Sequence, residues 1–474
     1  MFSVGLILLP ELSLLAYYPV AWWVNRYRLN KTAKTFFSLS KFFLILSILL
    51  TIIFYNKSAF PEFWVNNKYS TLFKLMMYFA SLVWFYLSSK WFLNKNRSSF
   101  VFYQTTMLAI LLFGLLLSAS SLLISLLVVP LLCWLTGVLI LQHWDEDKVR
   151  HLSKVYFIFS AIFCLILWSS AIVIKIYCGG LSFSTIQNYL HNAELLPIGL
   201  YAAIVGVISV LLFMMAAAPF HFWFISTISS AILPVCGFLT IIPPLVYLSC
   251  LINLMTGVFA PVISNIKPLL QCFAGCSLII GALSANGQTN IRRLFAFSTI
   301  YNLGFMLFGI ISFKSEAVVS AFIYTIIYIM AMIGIYTVFL SLKSKGDYLS
   351  EIDEIKGLSV SKPYISAAFL LFMISLIGVP PLLGFWGRLS LVNSLVMNDN
   401  WEQAVFMLFA LLFIANAFLQ VIRRIYFDTA QNTFDRTDKA IYISIFINLL
   451  LVLISILDPS YLLQDAEIIF QGEL

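Results

Sequence analysis

Charge is what this sequence has least of. Only 10% of its 474 residues are charged, while 62% are hydrophobic. A soluble domain carries about 25% charged and 45–50% apolar residues. So few polar groups could not coat a globule of this length, which excludes a soluble enzyme, a disordered chain and a coiled coil and leaves a polytopic membrane protein. Not one charged residue lies between Arg97 and Asp145. The seven cysteines, among which only Cys272 and Cys276 are close, form no CxxC and no Cys/His cluster, so zinc and iron–sulfur centres are not expected. They read as small apolar helix positions. No glycine-rich phosphate loop and no flavin or haem signature is present, so this chain cannot itself oxidise a nicotinamide. The net charge of +8 comes without a basic run, and nucleic acid is not an expected partner. The apolar N-terminus has neither a basic start nor a clear cleavage site and reads as a retained first span.

What is present is a series of apolar runs. A spanning helix needs about 20 mostly apolar residues. Fourteen stretches qualify: 2–23, 36–55, 72–93, 101–118, 120–142, 155–177, 197–223, 228–254, 268–285, 294–313, 316–341, 363–396, 402–422 and 440–457. Pro219 and Pro234, and again Pro380 and Pro381, interrupt long stretches. Proline removes a backbone donor, and such a break survives at membrane depth only where protein or a water-filled cavity satisfies the freed carbonyls. Two broken helices far apart suggest two related halves. With the N-terminus outside, 20 of the 28 Lys and Arg fall in inner loops, four in outer loops and four within spans. That asymmetry predicts an even number of crossings, with both termini on the outer face.

The in-span bases are Lys41, Lys74, Lys175 and Arg388. The three lysines lie near predicted helix ends and are expected to snorkel to the interface. Arg388 sits well inside an apolar stretch, just after Pro380-Pro381, where it either caps freed carbonyls or lines a polar path. It stays protonated, so it can hold water or anions but relays protons poorly. His221 follows Pro219-Phe220 at the other break and could carry protons or be a hydrogen-bonded structural residue. Glu11, after Pro10, reads as a helix-end or subunit-contact residue. Tyr324 and Tyr328 at helical spacing, and Asn302 beside Tyr301, could order water in a bundle or make ordinary interhelical bonds.

Several motifs carry a resemblance. They are Leu9-Pro10-Glu11-Leu12, Ala218-Pro219-Phe220-His221-Phe222-Trp223, Gln288-Thr289-Asn290-Ile291-Arg292-Arg293-Leu294, Gly378-Val379-Pro380-Pro381 with Gly384-Phe385 and Gly387-Arg388, and Val421-Ile422-Arg423-Arg424-Ile425-Tyr426-Phe427. Together they resemble the proton-translocating subunits of respiratory complex I and the related Mrp-type antiporters. Within that group the last motif looks most like the subunit N type, counterpart of mitochondrial subunit 2. The resemblance implies an all-α fold of about fourteen transmembrane helices, with two inverted five-helix repeats and broken helices 7 and 12. It implies an N-terminal three-helix segment over 1–100, repeats over 101–255 and 256–430, and a C-terminal helix and tail over 431–474.

The resemblance also implies a central row of charges, and here the sequence departs from it. The family's helix-5 Glu falls on Pro130, its helix-7 Lys on Met214 and its helix-8 Lys on Pro244. Only the helix-12 base survives, as Arg388, and the helix-10 His is Asn302. The implied function is that of a membrane-arm translocase subunit coupling quinone reduction to proton movement, with a degenerate or rerouted path through His221, Tyr324, Tyr328, Asn302 and Arg388. A non-conducting structural subunit of the same complex and an Mrp-type cation/proton antiporter subunit are the alternatives. No cofactor is expected in the chain, because NADH, FMN, iron–sulfur clusters and quinone belong to the complex. The implied partners are the lipid bilayer and other membrane-arm subunits. The implied location is a bacterial inner membrane or, alternatively, a mitochondrial inner membrane.

Overall fold

The computed structural model describes residues 8–27, 33–54, 63–95, 99–143, 147–193, 195–311, 315–429 and 433–454. Among the orienting charges, Arg28, Lys31, Lys57, Arg97 and Lys314 lie outside the described residues. In chain order the helices are α1 (Leu9–Tyr27), α2 (Ala33–Ile53), α3 (Lys68–Lys95), α4 (Phe100–Leu117), α5 (Leu122–Ile140), α6 (Asp147–Cys178), α7 (Phe183–Asn192), α8 (Ile198–Met214) and α9 (Phe222–Ser230). They continue with α10 (Leu233–Asn253), α11 (Ile263–Ala285), α12 (Ile291–Ile311), α13 (Ser315–Ser341), α14 (Leu358–Ser361), α15 (Pro363–Ile377), α16 (Leu383–Met397), α17 (Trp401–Tyr426) and α18 (Lys439–Ile454). Every one of the fourteen predicted stretches holds one of these helices or a broken pair. Ten helices among the described residues are long and apolar enough to cross a membrane, and Ile198–Met214, Pro363–Ile377 and Lys439–Leu453 are shorter apolar helices.

The chain forms two compact units. One is built from the described residues of Met1–Met215 and Ser230–Ile266. Its centre is α10, apolar on all sides and buried along almost its whole length, which is where such a helix must lie. Helices α3, α4 and α8 pack on α10, and α6 packs on α8. Trp84 of α3 donates its indole N–H to the Pro234 carbonyl at 2.9 Å. On α6, Tyr156, Phe163, Leu167, Ala171 and Ile174 face inward, while Ile158, Leu165 and Ile176 are exposed. A surface helix in water would carry polar residues on that outer face. An apolar outer face is one that meets lipid.

The other unit is built from the described residues of Ala216–Ser229 and Lys267–Gly472. Its core is α12, buried from Leu294 through Ile311. Helix α13 packs on α12, α15, α16 and α18. The segment between α13 and α14 is tied down by backbone pairing: a short hairpin joins β1 (Lys343–Ser344) and β2 (Asp347–Tyr348), and Asp435 accepts from the amides of Lys345 and Gly346 at 3.2 and 2.8 Å. Lys362 links three segments, donating to the Ser341 carbonyl at 3.0 Å and to the Thr437 hydroxyl at 2.7 Å.

Both predicted helix breaks are present. Helix α8 stops at Met214 and α9 starts at Phe222; between them the Ala218 amide donates to Ser277 Oγ at 2.9 Å. Helix α15 stops at Ile377, where Gly378 adopts a left-handed conformation with φ of 81° and its amide closes on the Ile374 and Ser375 carbonyls. This is a glycine C-cap of the usual kind. Helix α16 then starts against the end of α15, and a Cβ placed on Gly384 would lie 1.6 Å from the Ser375 carbonyl oxygen. The Ala218–Pro219 and Pro380–Pro381 bonds are cis.

Two outcomes follow from this packing. Gly384→Ala has no room and is expected to destabilise the protein by about 3 kcal/mol or more, seen as loss of folded protein from membranes. Gly275→Ala in α11 meets only ordinary contacts, the nearest at 3.7 Å, and should be tolerated. Burial pushes the Lys362 ammonium down to about 8, with Lys343 lowering it further and Asp435 opposing the shift. Between that value and the ordinary 10.5 the unfolded chain binds more protons, so stability should rise with pH across that window. Thermal unfolding in detergent from pH 7.5 to 10.5 should show a positive slope that Lys362→Met flattens.

Candidate functional site

Arg388 is on α16, one turn past the break, with its side chain only 5% exposed. A bare guanidinium at membrane depth costs from about 2.5 kcal/mol to far more, and three kinds of contact offset that here. Nη1 donates to the Tyr301 hydroxyl at 2.8 Å. Nη2 donates to Asn302 Oδ1 at 3.3 Å and to the Leu376 carbonyl, one of those freed where α15 ends. The rings of Phe305, Tyr301 and Tyr324 lie 4.8, 5.3 and 5.5 Å from its Cζ, a cation–π cage. Among the described residues no carboxylate pairs with it. Gly378 leaves room for the arginine stem, since a Cβ there would sit 2.6 Å from Arg388 Cδ.

The hydrogen bonds extend along α12 and α13. Tyr324 donates its hydroxyl to Asn302 Oδ1, and Asn302 Nδ2 donates to the Ser298 carbonyl at 2.8 Å. One turn along α13, Tyr328 donates to Thr299 Oγ1 at 3.0 Å. The sequence left open whether Arg388 caps the break or lines a polar cluster, and the structure has it doing both. Four of the five path residues, Arg388, Asn302, Tyr324 and Tyr328, thus come together on three neighbouring helices. His221 does not join them: it is half-buried at the first break, and its Nδ1 has no hydrogen-bond partner among the described residues. Chemically, the cluster fixes a permanent positive charge among hydroxyl groups, which sets a potential for any proton or anion nearby.

At the three positions where the resemblance implies charges, the structure holds uncharged residues. Pro130 lies inside α5 and Pro244 inside buried α10. Met214 ends α8, with its sulfur 3.4 Å from Cys133 Sγ, and Cys133 lies 3.9 Å from Cys164 Sγ.

One expectation is corrected: Lys74 does not snorkel. Glu11 is a helix-end residue, as expected, in the first turn of α1, but both side chains are buried, at 1% and 3% exposure, and they pair with each other. Proline in the first turn of α1 is well tolerated because that N–H has no helical partner anyway, and Glu11 beside it benefits from the helix N-terminus. Lys74 Nζ donates to Glu11 Oε1 and to Asn66 Oδ1, the latter at 2.9 Å. Ser118 at the end of α4 also donates to Asn66 Oδ1, at 2.8 Å. By contrast, the Lys41 and Lys175 side chains are exposed. Snorkelling and burial look alike in sequence six residues from a helix start. The usable signal was that Glu11 is the only acid before Glu62, in a run otherwise apolar.

Comparison with known proteins gives a family match. The model for NADH:quinone oxidoreductase/Mrp antiporter, TM, matches residues 119–414. The chain is 26% identical over 383 residues to NADH-quinone oxidoreductase subunit N of Paramagnetospirillum magneticum, covering 80% of this chain and 79% of that protein. It is similar in fold to a chain of respiratory complex I from Thermus thermophilus, with TM-score 0.81, 21% identity and coverage of 96% and 98%. It is also similar to a chain of the Mrp complex from a Dietzia species, with TM-score 0.85, 14% identity and coverage of 99% and 97%.

Arg388→Met should strand the Leu376 carbonyl and the Tyr301 and Asn302 oxygens, costing on the order of 2–3 kcal/mol as a lowered Tm. Lys74→Met should cost about 3–5 kcal/mol, because it leaves a buried carboxylate uncompensated. The double variant Glu11→Gln, Lys74→Met should recover most of that loss. Equal losses in the single and double variants would show that the pair is not coupled.

Proposed function

The chain belongs to the NADH:quinone oxidoreductase/Mrp antiporter transmembrane family, and from that premise we propose that it is a membrane-arm subunit of a proton-translocating NADH:quinone oxidoreductase, the counterpart of subunit N. The observation that carries this reading is the similarity to a subunit N running over four-fifths of both chains, on a fold shared with complex I. The chain is one subunit of a translocase and contributes proton movement; NADH, FMN, iron–sulfur clusters and quinone are handled by partner subunits. It sits in a bacterial inner membrane beside other membrane-arm subunits. We assign it fourteen crossings with both termini outside, a three-helix N-terminal segment, and two five-helix repeats over 101–255 and 256–430.

Proton passage avoids the centre around Pro130, Met214 and Pro244, where the groups beside Met214 are the Cys133 and Cys164 thiols rather than an ammonium and a carboxylate. In the second repeat the supported elements are the Arg388 guanidinium, Asn302 and the Tyr324 and Tyr328 hydroxyls, with His221 at the other break. Arg388 stays charged throughout and acts by potential, disfavouring a second positive charge beside it. The hydroxyls act as relays, since each can give one proton as it accepts another.

One specific observation favours a second reading, a structural subunit that conducts nothing: the Met214–Cys133 sulfur contact fills the place where the family keeps an ammonium. The two readings separate in membrane vesicles. Deleting the chain should abolish NADH-driven proton uptake under both, because the structural reading expects the complex not to assemble without it. Arg388→Ala with His221→Ala should lower the proton-to-electron ratio while NADH oxidation continues. An unchanged ratio in that variant would favour the structural reading. Ion exchange by the purified chain without any NADH or quinone would instead point to an antiporter.

A further inference from the structure

The buried Glu11–Lys74 pair has features that a static ion pair does not need. Glu11 Oε2 has no hydrogen-bond partner among the described residues, although a buried carboxylate usually saturates both oxygens. One turn along α3, the Tyr78 hydroxyl is also buried and unpartnered. The Tyr78 hydroxyl and the Glu11 carboxylate both approach Gly114: a Cβ built there would lie 3.0 Å from the Tyr78 hydroxyl and 3.8 Å from Glu11 Oε1. Gly114 therefore leaves room for both side chains.

Buried hydroxyls continue from this site toward the other ends of the same helices. Tyr17 lies six residues along α1 from Glu11, about 9 Å at helical rise, fully buried and with its hydroxyl unpartnered. Its neighbour Tyr18 donates to the Gln104 carbonyl at 3.1 Å, which brings this level of α1 against the start of α4. There the Tyr103 hydroxyl and Ser88 Oγ both donate to the Phe85 carbonyl, at 3.2 and 3.0 Å. Ser88 is fourteen residues from Lys74 on α3, about 21 Å along the axis. A run of protonatable hydroxyls thus leads from one end of α3 to an acid–base pair near the other.

We propose that Glu11 and Lys74 form a proton-exchange pair at the outer end of a hydroxyl column through α1, α3 and α4, a translocation site distinct from the Arg388 cluster. The ligand is the proton, delivered and removed by water. The cycle balances. The Lys74 ammonium passes a proton to the Glu11 carboxylate, giving an amine and a carboxylic acid. The acid releases that proton to water on the outer side and becomes a carboxylate again. The amine takes a proton arriving along the column and becomes an ammonium again. One proton has crossed and no electron has moved. With no charged residue at Pro130, Met214 or Pro244, this pair is the buried ion pair among the unit's described residues.

The proposal rests on the reading of the chain as a membrane-arm subunit, and the test separates the two. Whole complex is prepared in vesicles, with NADH oxidation and proton uptake recorded together. Lys74→Arg keeps the ion pair but holds its proton, so the proton-to-electron ratio should fall while NADH oxidation persists. A wild-type ratio in assembled Lys74→Arg complex overturns the proposal. If that variant does not assemble, Tyr17→Phe with Tyr78→Phe decides, because it removes two hydroxyls that support no hydrogen bond and should leave folding intact. A lowered ratio then supports the column, and an unchanged one overturns it. Should deletion of the chain leave NADH-driven proton uptake untouched, the subunit reading itself has failed, and the pair falls with it for want of a reaction to serve.

Discussion

The constraint on which this structure depends is the expense of a charge at membrane depth. Lipid offers no water to a guanidinium, ammonium or carboxylate, so each must find partners inside the protein or be absent. The chain takes both courses. Helices α5, α8 and α10 carry no charge, and the places where the resemblance implies ionised groups hold Pro130, Met214 and Pro244. Two buried sites described above retain charge, one in each unit. Arg388 is compensated by carbonyl, hydroxyl and amide oxygens and by three aromatic faces; Glu11 and Lys74 compensate each other. The first is a permanent cation that can only set a field. The second joins two groups that can exchange a proton.

The helix breaks serve the same constraint. Ending a helix in the bilayer frees carbonyls, and each break here meets that demand locally. Gly378 turns its amide onto the last turn of α15, Gly384 lets α16 begin against Ser375, and Arg388 reaches back to Leu376. At the first break Ser277 takes the Ala218 amide. The proline pairs, the glycines and the arginine therefore form one device: the break creates the acceptor, and the arginine that satisfies it brings a charge to the core.

Much of this was legible in the sequence, for reasons of periodicity and scarcity. Apolar runs of spanning length give helices almost regardless of detail, so the predicted stretches each contain helix, although α6 begins at Asp147, eight residues before its apolar stretch. The breaks were visible because proline cannot continue a helix. Arg388 stood out as a base with no helix end nearby. The Glu11–Lys74 pair was not legible, because the two residues are 63 positions apart and each sits where a helix-end reading is also reasonable. Its burial is decided by α2 and α4 packing on α1, and that packing leaves no local mark. Tyr301 shows the same limit: it stood in sequence only as the neighbour of Asn302, yet it supplies both an acceptor and a ring to the arginine.

The proposed proton path runs beside the retained charges and not through the charge-free centre. Ordered water reports this most directly. An electron cryo-microscopy map of the assembled complex, at a resolution that shows bound water, should place water between Glu11 and Tyr78 and beside the Arg388 cluster, with none around Met214 and Pro244. A continuous file of water past Met214 and Pro244, together with a dry Glu11–Lys74 pair, would contradict the account.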